Sequence, residues 1–301
     1  MKNSIREFIY RITPPYLYYQ ISFFIKKRRL KKVSNILFNN KNIKTEFDSF
    51  KENSENEKLF IFGTGASVNE LTQGNFKEVN SGYSIGINKW IFHEFVVDCY
   101  LIELSDDLNE NEKMRLKIIC LLDSKIKKPI FLVYNNQGAN SLIIKSFLRG
   151  MDADRVALYE YMRPYIFNKN LKNEFINLLN FLSIRKKSGV ISLGLGSSVE
   201  RAVSLGILYG YSEIILLGVD LNNTKYFWHD SKSIYKDMES GQENYEVHLT
   251  TTKRFGAIPV QESLLLLDRV ARVHFSSSIL ISTEMSLLSG KLEKYKWKTN
   301  V

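Results

Sequence analysis

Gly194-Leu195-Gly196-Ser197-Ser198 opens a helical stretch that runs to Tyr209, Gly210 stops it, and Glu213-Ile214-Ile215-Leu216-Leu217-Gly218-Val219-Asp220 follows as an apolar run ending in a carboxylate. A run without polar alternation is the pattern of a strand covered on both faces. Serine before a helix and glycine after it are ordinary start and stop signals. The unit therefore reads as loop, helix and buried parallel strand.

The same grammar appears earlier. Lys58-Leu59-Phe60-Ile61-Phe62 is a short apolar strand and runs directly into Gly63-Thr64-Gly65-Ala66-Ser67, with a helix expected from Val68 to Phe76 and Ser67 as its N-cap. Further strands are read at Tyr83–Ile87, Cys99–Glu103, 129–134 and Arg155–Tyr161, with helices at 109–123 and 169–184. A helix at 260–272 and a strand at Val273–Ser276 close the pattern. Apolar strands alternating with helices predict an α/β fold, a mainly parallel Rossmann-like sheet with helices on both faces. The expected division is a basic, aromatic N-terminal arm and linker over 1–57, then one catalytic domain over 58–301 with an irregular lid at about 222–258.

The 301 residues carry a net charge of +10, concentrated at Lys26, Lys27, Arg28, Arg29, Lys31 and Lys32. This block follows the aromatic stretch Tyr16–Ile25, a combination that fits either contact with an anionic membrane surface or a helix packing its apolar face on the domain. No nucleic-acid module accompanies the charge, so nucleic acid is not an expected partner. Neither a signal peptide nor about 18 uninterrupted apolar residues is visible. Cys99 and Cys120 lie in apolar runs and are expected as buried core thiols, which favours a reducing compartment. The expected location is cytoplasmic, peripheral on the inner face of the cytoplasmic membrane.

In an open parallel sheet, ligands sit beyond the carboxyl ends of the strands. Gly63, Thr64, Gly65 and Ser67 are placed there, as are Ser197 and Ser198 of the second loop. Glycines allow close approach of an anion, and a helix N-terminus offers amide groups to phosphate. The first loop lacks the third glycine of a dinucleotide fingerprint and the Gly-Lys-Ser/Thr of a P-loop. Asn88, just past a strand, is either placed to read a base or ribose or is an ordinary turn asparagine, and Asp220 is expected to order its own loop. Of His93, His229, His248 and His274, the first and last lie in apolar contexts and are read as structural, whereas His229 and His248 fall in the late irregular region. Asp152-Ala153-Asp154 has the form of a metal-holding Asp-X-Asp but precedes its strand, so it is read as a solvated turn, and no metal site is expected.

In this order the pieces resemble the bacterial sialyltransferases of glycosyltransferase family 42. The resemblance rests on Gly63-Thr64-Gly65-Ala66-Ser67-Val68, Asn88-Lys89-Trp90-Ile91-Phe92, Asn135-Asn136-Gln137-Gly138-Ala139 and, most closely, Ser198 with Tyr209–Asp220. It implies a GT-A-like variant that works without metal or other cofactor, taking a CMP-activated acidic sugar as donor. It also implies inverting transfer to a glycan or lipid-linked glycan acceptor, His248 as general base, Tyr226 at the phosphate, and assembly into homo-oligomers. Three positions depart from the family: Ala66 replaces a proline, Leu195 an arginine, and Asn222 a second phosphate-contacting tyrosine. The donor sugar is thereby left open among sialic acid, Kdo and related nonulosonic acids. Two other readings stand beside this one: an ATP- and Mg²⁺-dependent pterin diphosphokinase-like enzyme, and a non-catalytic protein that keeps the nucleotide fold.

Overall fold

The computed structural model describes residues 14–38, 57–105, 107–123, 129–134, 141–149, 151, 155–164, 170–185, 191–222, 225–229, 251 and 258–298. Among these residues nine strands form one sheet: β1 Lys58–Phe62, β2 Tyr83–Ile87, β3 Cys99–Ile102, β4 Ile130–Tyr134, β5 Val156–Met162, β6 Ile191–Leu193, β7 Glu213–Leu217, β8 Ser278–Ile281 and β9 Glu293–Lys294. Their spatial order is β6-β5-β4-β3-β2-β1-β7-β8-β9, and every pairing is parallel. The chain thus grows outward from β1 on one side, returns, and continues on the other side from β7. Phe60 pairs with Ser84 of β2 and with Ile215 of β7, so β1 lies at the centre of this reversal.

All five residues of β2 and all four of β3 are buried. Successive strand side chains face opposite ways, so unbroken burial means that both faces of the sheet are covered. The helices are α1 Pro15–Phe38, α2 Gln73–Val79, α3 Leu108–Asp123, α4 Ser141–Phe147, α5 Leu171–Arg185, α6 Ser198–Tyr209 and α7 Val260–His274. Helix α6 lies against β1, β2, β6 and β7, and α7 packs on β8, α5 and α6.

Within the expected N-terminal arm, α1 packs on the domain. Pro15 starts it, where a missing N–H costs nothing, and the helix lies against β5 and α5. The Tyr19 hydroxyl donates to the buried Glu174 carboxylate. Lys26 meets the fully buried Glu160 at 3.0 Å, with Arg29 at 3.6 Å. A carboxylate on the sheet away from water needs such counter-charges, so Lys26 and Arg29 of the basic block face inward.

Several local expectations are corrected. Ala66–Glu70 is a 3-10 turn with Gly65 in the cap position and no side-chain cap bond, so Ser67 is not an N-cap. The α-helix starts only at Gln73, behind a capping box of Thr72 and Asn75. Helix α7 runs to His274, and the last long strand lies at Ser278–Ile281 instead of Val273–Ser276. Cys99 is buried as expected, whereas Cys120 is exposed on α3.

Candidate functional site

The reversal of strand order between β1 and β7 opens a crevice at the carboxyl ends of the strands, and a cavity of about 370 Å³ lies there. Its walls come from the ends of β1 (Gly63, Thr64, Gly65), β2 (Asn88, Lys89), β3 (Glu103, Ser105) and β7 (Gly218 to Leu221). Gly196, Ser197 and Ser198 at the head of α6 also line it, as do Lys225, Tyr226 and Trp228, with Glu110 and Met114 of α3 and Val260 of α7. Most residues singled out in the sequence therefore meet in one place. Ser67 and Asn222 are not in the lining.

The first glycine loop is held from within. Gly63 N–H donates to the Leu217 carbonyl at 2.7 Å and Gly65 N–H to that of Gly218 at 2.8 Å. The Ser67 N–H donates to Asp220 Oδ2 at 3.1 Å, and its hydroxyl donates to Oδ1. A Cβ on Gly63 would come within 2.4 Å of the Gly218 carbonyl oxygen, and one on Gly65 within 2.5 Å of Asp220 Oδ2. The glycines thus let the loops after β1 and β7 touch. Ser67, expected at a phosphate, spends its amide and hydroxyl on the internal carboxylate of Asp220. Burial pushes the Asp220 carboxyl upward from its ordinary range, while the Ser67 and Ala66 donors hold it back.

The second loop uses the same device. Ser197 caps α6 and Glu200 returns the bond in a capping box. Glu200 Oε2 accepts the amides of Leu195, Gly196 and Ser197 at 3.1, 2.9 and 2.9 Å, and Oε1 accepts the Ser263 hydroxyl. In both loops a buried side chain fills the anion-binding position of the backbone.

Side chains toward the cavity form another network. Asn88 has φ 49, a left-handed conformation that non-glycine residues adopt rarely and that collects at functional positions. Its carbonyl oxygen accepts the Glu103 N–H at 2.8 Å, and its amide donates to Ser198 Oγ at 3.3 Å. Ser198 Oγ donates to Glu103 Oε1 at 2.6 Å, the same oxygen that the buried Arg201 guanidinium contacts. Ends of β2, β3 and α6 are therefore joined through three polar side chains. Glu103 was not singled out from sequence, although a carboxylate one step beyond an apolar strand was a visible signal, as at Asp220.

Tyr226 forms an isolated antiparallel bridge with Gly65, and the Phe227 N–H donates to the Thr64 carbonyl at 3.0 Å. The Tyr226 ring stacks on Trp228 with centroids 4.5 Å apart, and Lys89 lies 5.6 Å above the Trp228 ring while pairing with Glu110 at 2.8 Å. The described start of the expected lid is thus bound to the first glycine loop. Asn222 is turned elsewhere, its amide donating to the Met285 carbonyl. His229 accepts the Tyr226 N–H through Nδ1 at 3.3 Å and is not in the cavity lining. His93 lies stacked on Trp90, 4.1 Å between centroids. His248, Asp152, Asp154 and 135–139 lie outside the described residues, as does most of 222–258. Among the described residues no group of three or more His, Cys, Asp and Glu is arranged to hold a metal ion. No protein-family model matches the chain, and no curated protein matches its sequence.

Proposed function

We propose that the protein is a glycosyltransferase that moves an acidic sugar from a CMP donor to a cell-surface glycan acceptor, with inversion at the anomeric carbon. The observation that carries this reading is the convergence of Gly63–Gly65, Asn88, Ser197–Ser198 and Tyr226, drawn from four distant segments, on one cavity at the strand-order reversal. The bridge from Tyr226 to Gly65 counts against a non-catalytic relict, since a residue expected at the donor phosphate sits beside the first loop.

With the Gly63 and Gly65 amides bonded to the Leu217 and Gly218 carbonyls, Ser67 to Asp220 and the second-loop amides to Glu200, side chains offer the main groups to recognise the donor. Asn88 and Glu103 line the cavity, and beyond the bonds that Asn88 Oδ1 and Glu103 Oε1 already accept, Glu103 Oε2 offers a carboxylate acceptor to the hydroxyl or amino groups of a nucleoside. Lys89, Lys225 and Tyr226 line the same cavity and offer the positive charge and hydroxyl that a phosphate and a sugar carboxylate need. In the reaction, the acceptor oxygen attacks the anomeric carbon and the bond from that carbon to the phosphate oxygen breaks. CMP leaves with the bonding electrons, and the acceptor proton passes to a general base, for which the family resemblance nominates His248. The donor is a substrate, and the reading requires neither metal nor cofactor.

The test is calorimetric binding of CMP, CDP and ATP, each in EDTA and then in Mg²⁺. CMP binding indifferent to metal supports the proposal, and transfer from CMP-sugars that His248→Ala abolishes would complete it. Binding of ATP only with Mg²⁺ would replace it with the diphosphokinase reading. No nucleotide binding would sink both.

A further inference from the structure

Helix α1 carries apolar side chains on two opposite faces. At about 100° per residue, Tyr19, Phe23, Lys26 and Leu30 share one line, and Leu17, Ile21, Phe24 and Arg28 share the line opposite. The first line is covered: Tyr19, Phe23 and Leu30 are buried, the Tyr19 and Phe23 rings contact Phe181, and Lys26 meets Glu160. The second is open. Leu17, Ile21, Phe24 and the adjacent Ile25 are 46, 49, 66 and 51% exposed, and Lys27, Arg28 and Lys31 are exposed beside them. The sequence from Pro15 to Phe38 contains no acidic residue.

Isolated exposed apolar residues need no explanation, but an aligned group of them flanked by cations does. We infer that the outer face of α1 docks on an anionic lipid bilayer, with the helix axis in the plane of the interface. Leu17, Ile21, Phe24 and Ile25 enter the headgroup region while Lys27, Arg28 and Lys31 meet lipid phosphates. None of the described helices is long and apolar enough to cross a membrane, so the contact is one of surface seating. Charge decides against a second copy as the occupant. A twofold contact would set Lys27, Arg28 and Lys31 against their own counterparts on a chain of net charge +10. The inference stands independently of the sugar-transfer reading.

The experiment is co-sedimentation of the full chain with phosphatidylcholine vesicles and with vesicles that also contain phosphatidylglycerol. Wild type should pellet with the anionic vesicles alone, and less so as salt rises from about 0.1 to about 0.5 M. Replacing Lys27, Arg28 and Lys31 with Gln should weaken binding about fivefold per cation removed, roughly a hundredfold together. Ile21→Ser with Phe24→Ser should weaken it by a similar factor, whereas Leu116→Ser, exposed on α3, should change nothing. Each altered side chain is exposed, so unchanged thermal melting confirms folding. Equal binding to neutral vesicles, no binding to either kind, or an equal loss with Leu116→Ser would overturn the inference. A concentration-dependent dimer lost in Phe24→Ser, without vesicle binding, would assign the face to a second copy.

Discussion

Asp220 holds Ser67 by both its backbone N–H, at 3.1 Å, and its hydroxyl, although 153 residues separate them. The bond closes the loops after β1 and β7 onto each other where the strand order reverses. Ser67→Ala should leave the buried carboxylate short of a donor and destabilise the fold by about 1–3 kcal/mol, read by chemical denaturation. A cost within error would show that the loops are held by the glycine amides alone.

The upward shift of Asp220 sets a pH signature. A carboxyl whose folded pKa lies above its unfolded value binds more protons when folded. Its contribution to stability therefore falls as pH rises from the ordinary value of 3.8 through the higher folded value. Asp220→Asn keeps the shape and cannot ionise. The melting temperature of wild type should drop relative to that of the variant over this interval. Parallel curves would contradict the shift.

His93 acts in the opposite direction. Burial lowers its pKa to about 4 from 6.5, and its Nδ1 accepts the Phe95 N–H at 3.0 Å, which requires the neutral ring. The folded state binds fewer protons than the unfolded one between those values, so stability should fall as pH drops from 6.5 toward 4. In His93→Phe the thermal melting curve should be flatter against pH over that interval. The slope is the readout, because removing the acceptor also lowers the absolute stability.

Glu200 closes the second loop by accepting three consecutive amides. Glu200→Ala should cost on the order of 2–3 kcal/mol by leaving buried donors without partners and removing the capping box. Circular dichroism melting should show the loss, and a phosphate or sulfate ion should restore part of it by entering the vacated position. A variant as stable as wild type would show that water replaces the carboxylate freely.

These loops mark where sequence reading succeeds and where it stops. The central strands were legible because Leu59–Phe62 and Ile214–Leu217 are unbroken apolar runs bounded by glycine. Strand β6, only Ile191-Ser192-Leu193, and the two-residue β9 are too short to show a period. The place of the cavity was also legible, since strand ends in a parallel sheet converge on one edge. The purpose of the glycines was not. Gly63 and Gly65 serve close approach to Gly218 and Asp220, partners more than 150 residues away, and no local pattern announces that contact. Glu200 is different: Ser197-Ser198-Val199-Glu200 spells a capping box, and its carboxylate was there to be read as the loop's own anion.

Asn88 separates fold from site by a single substitution pair. Its φ of 49 favours glycine, whereas alanine would be strained there. Asn88→Gly should therefore remain more stable than Asn88→Ala by about 1 kcal/mol. Both variants lose the amide that joins Ser198 and the Glu103 backbone. If that amide also contacts the nucleoside, the two should lose CMP affinity by the same factor, about tenfold or more, despite their different stabilities. Affinity that tracks stability instead would make Asn88 a brace for the strand ends, and wild-type affinity in Asn88→Gly would remove it from the binding site.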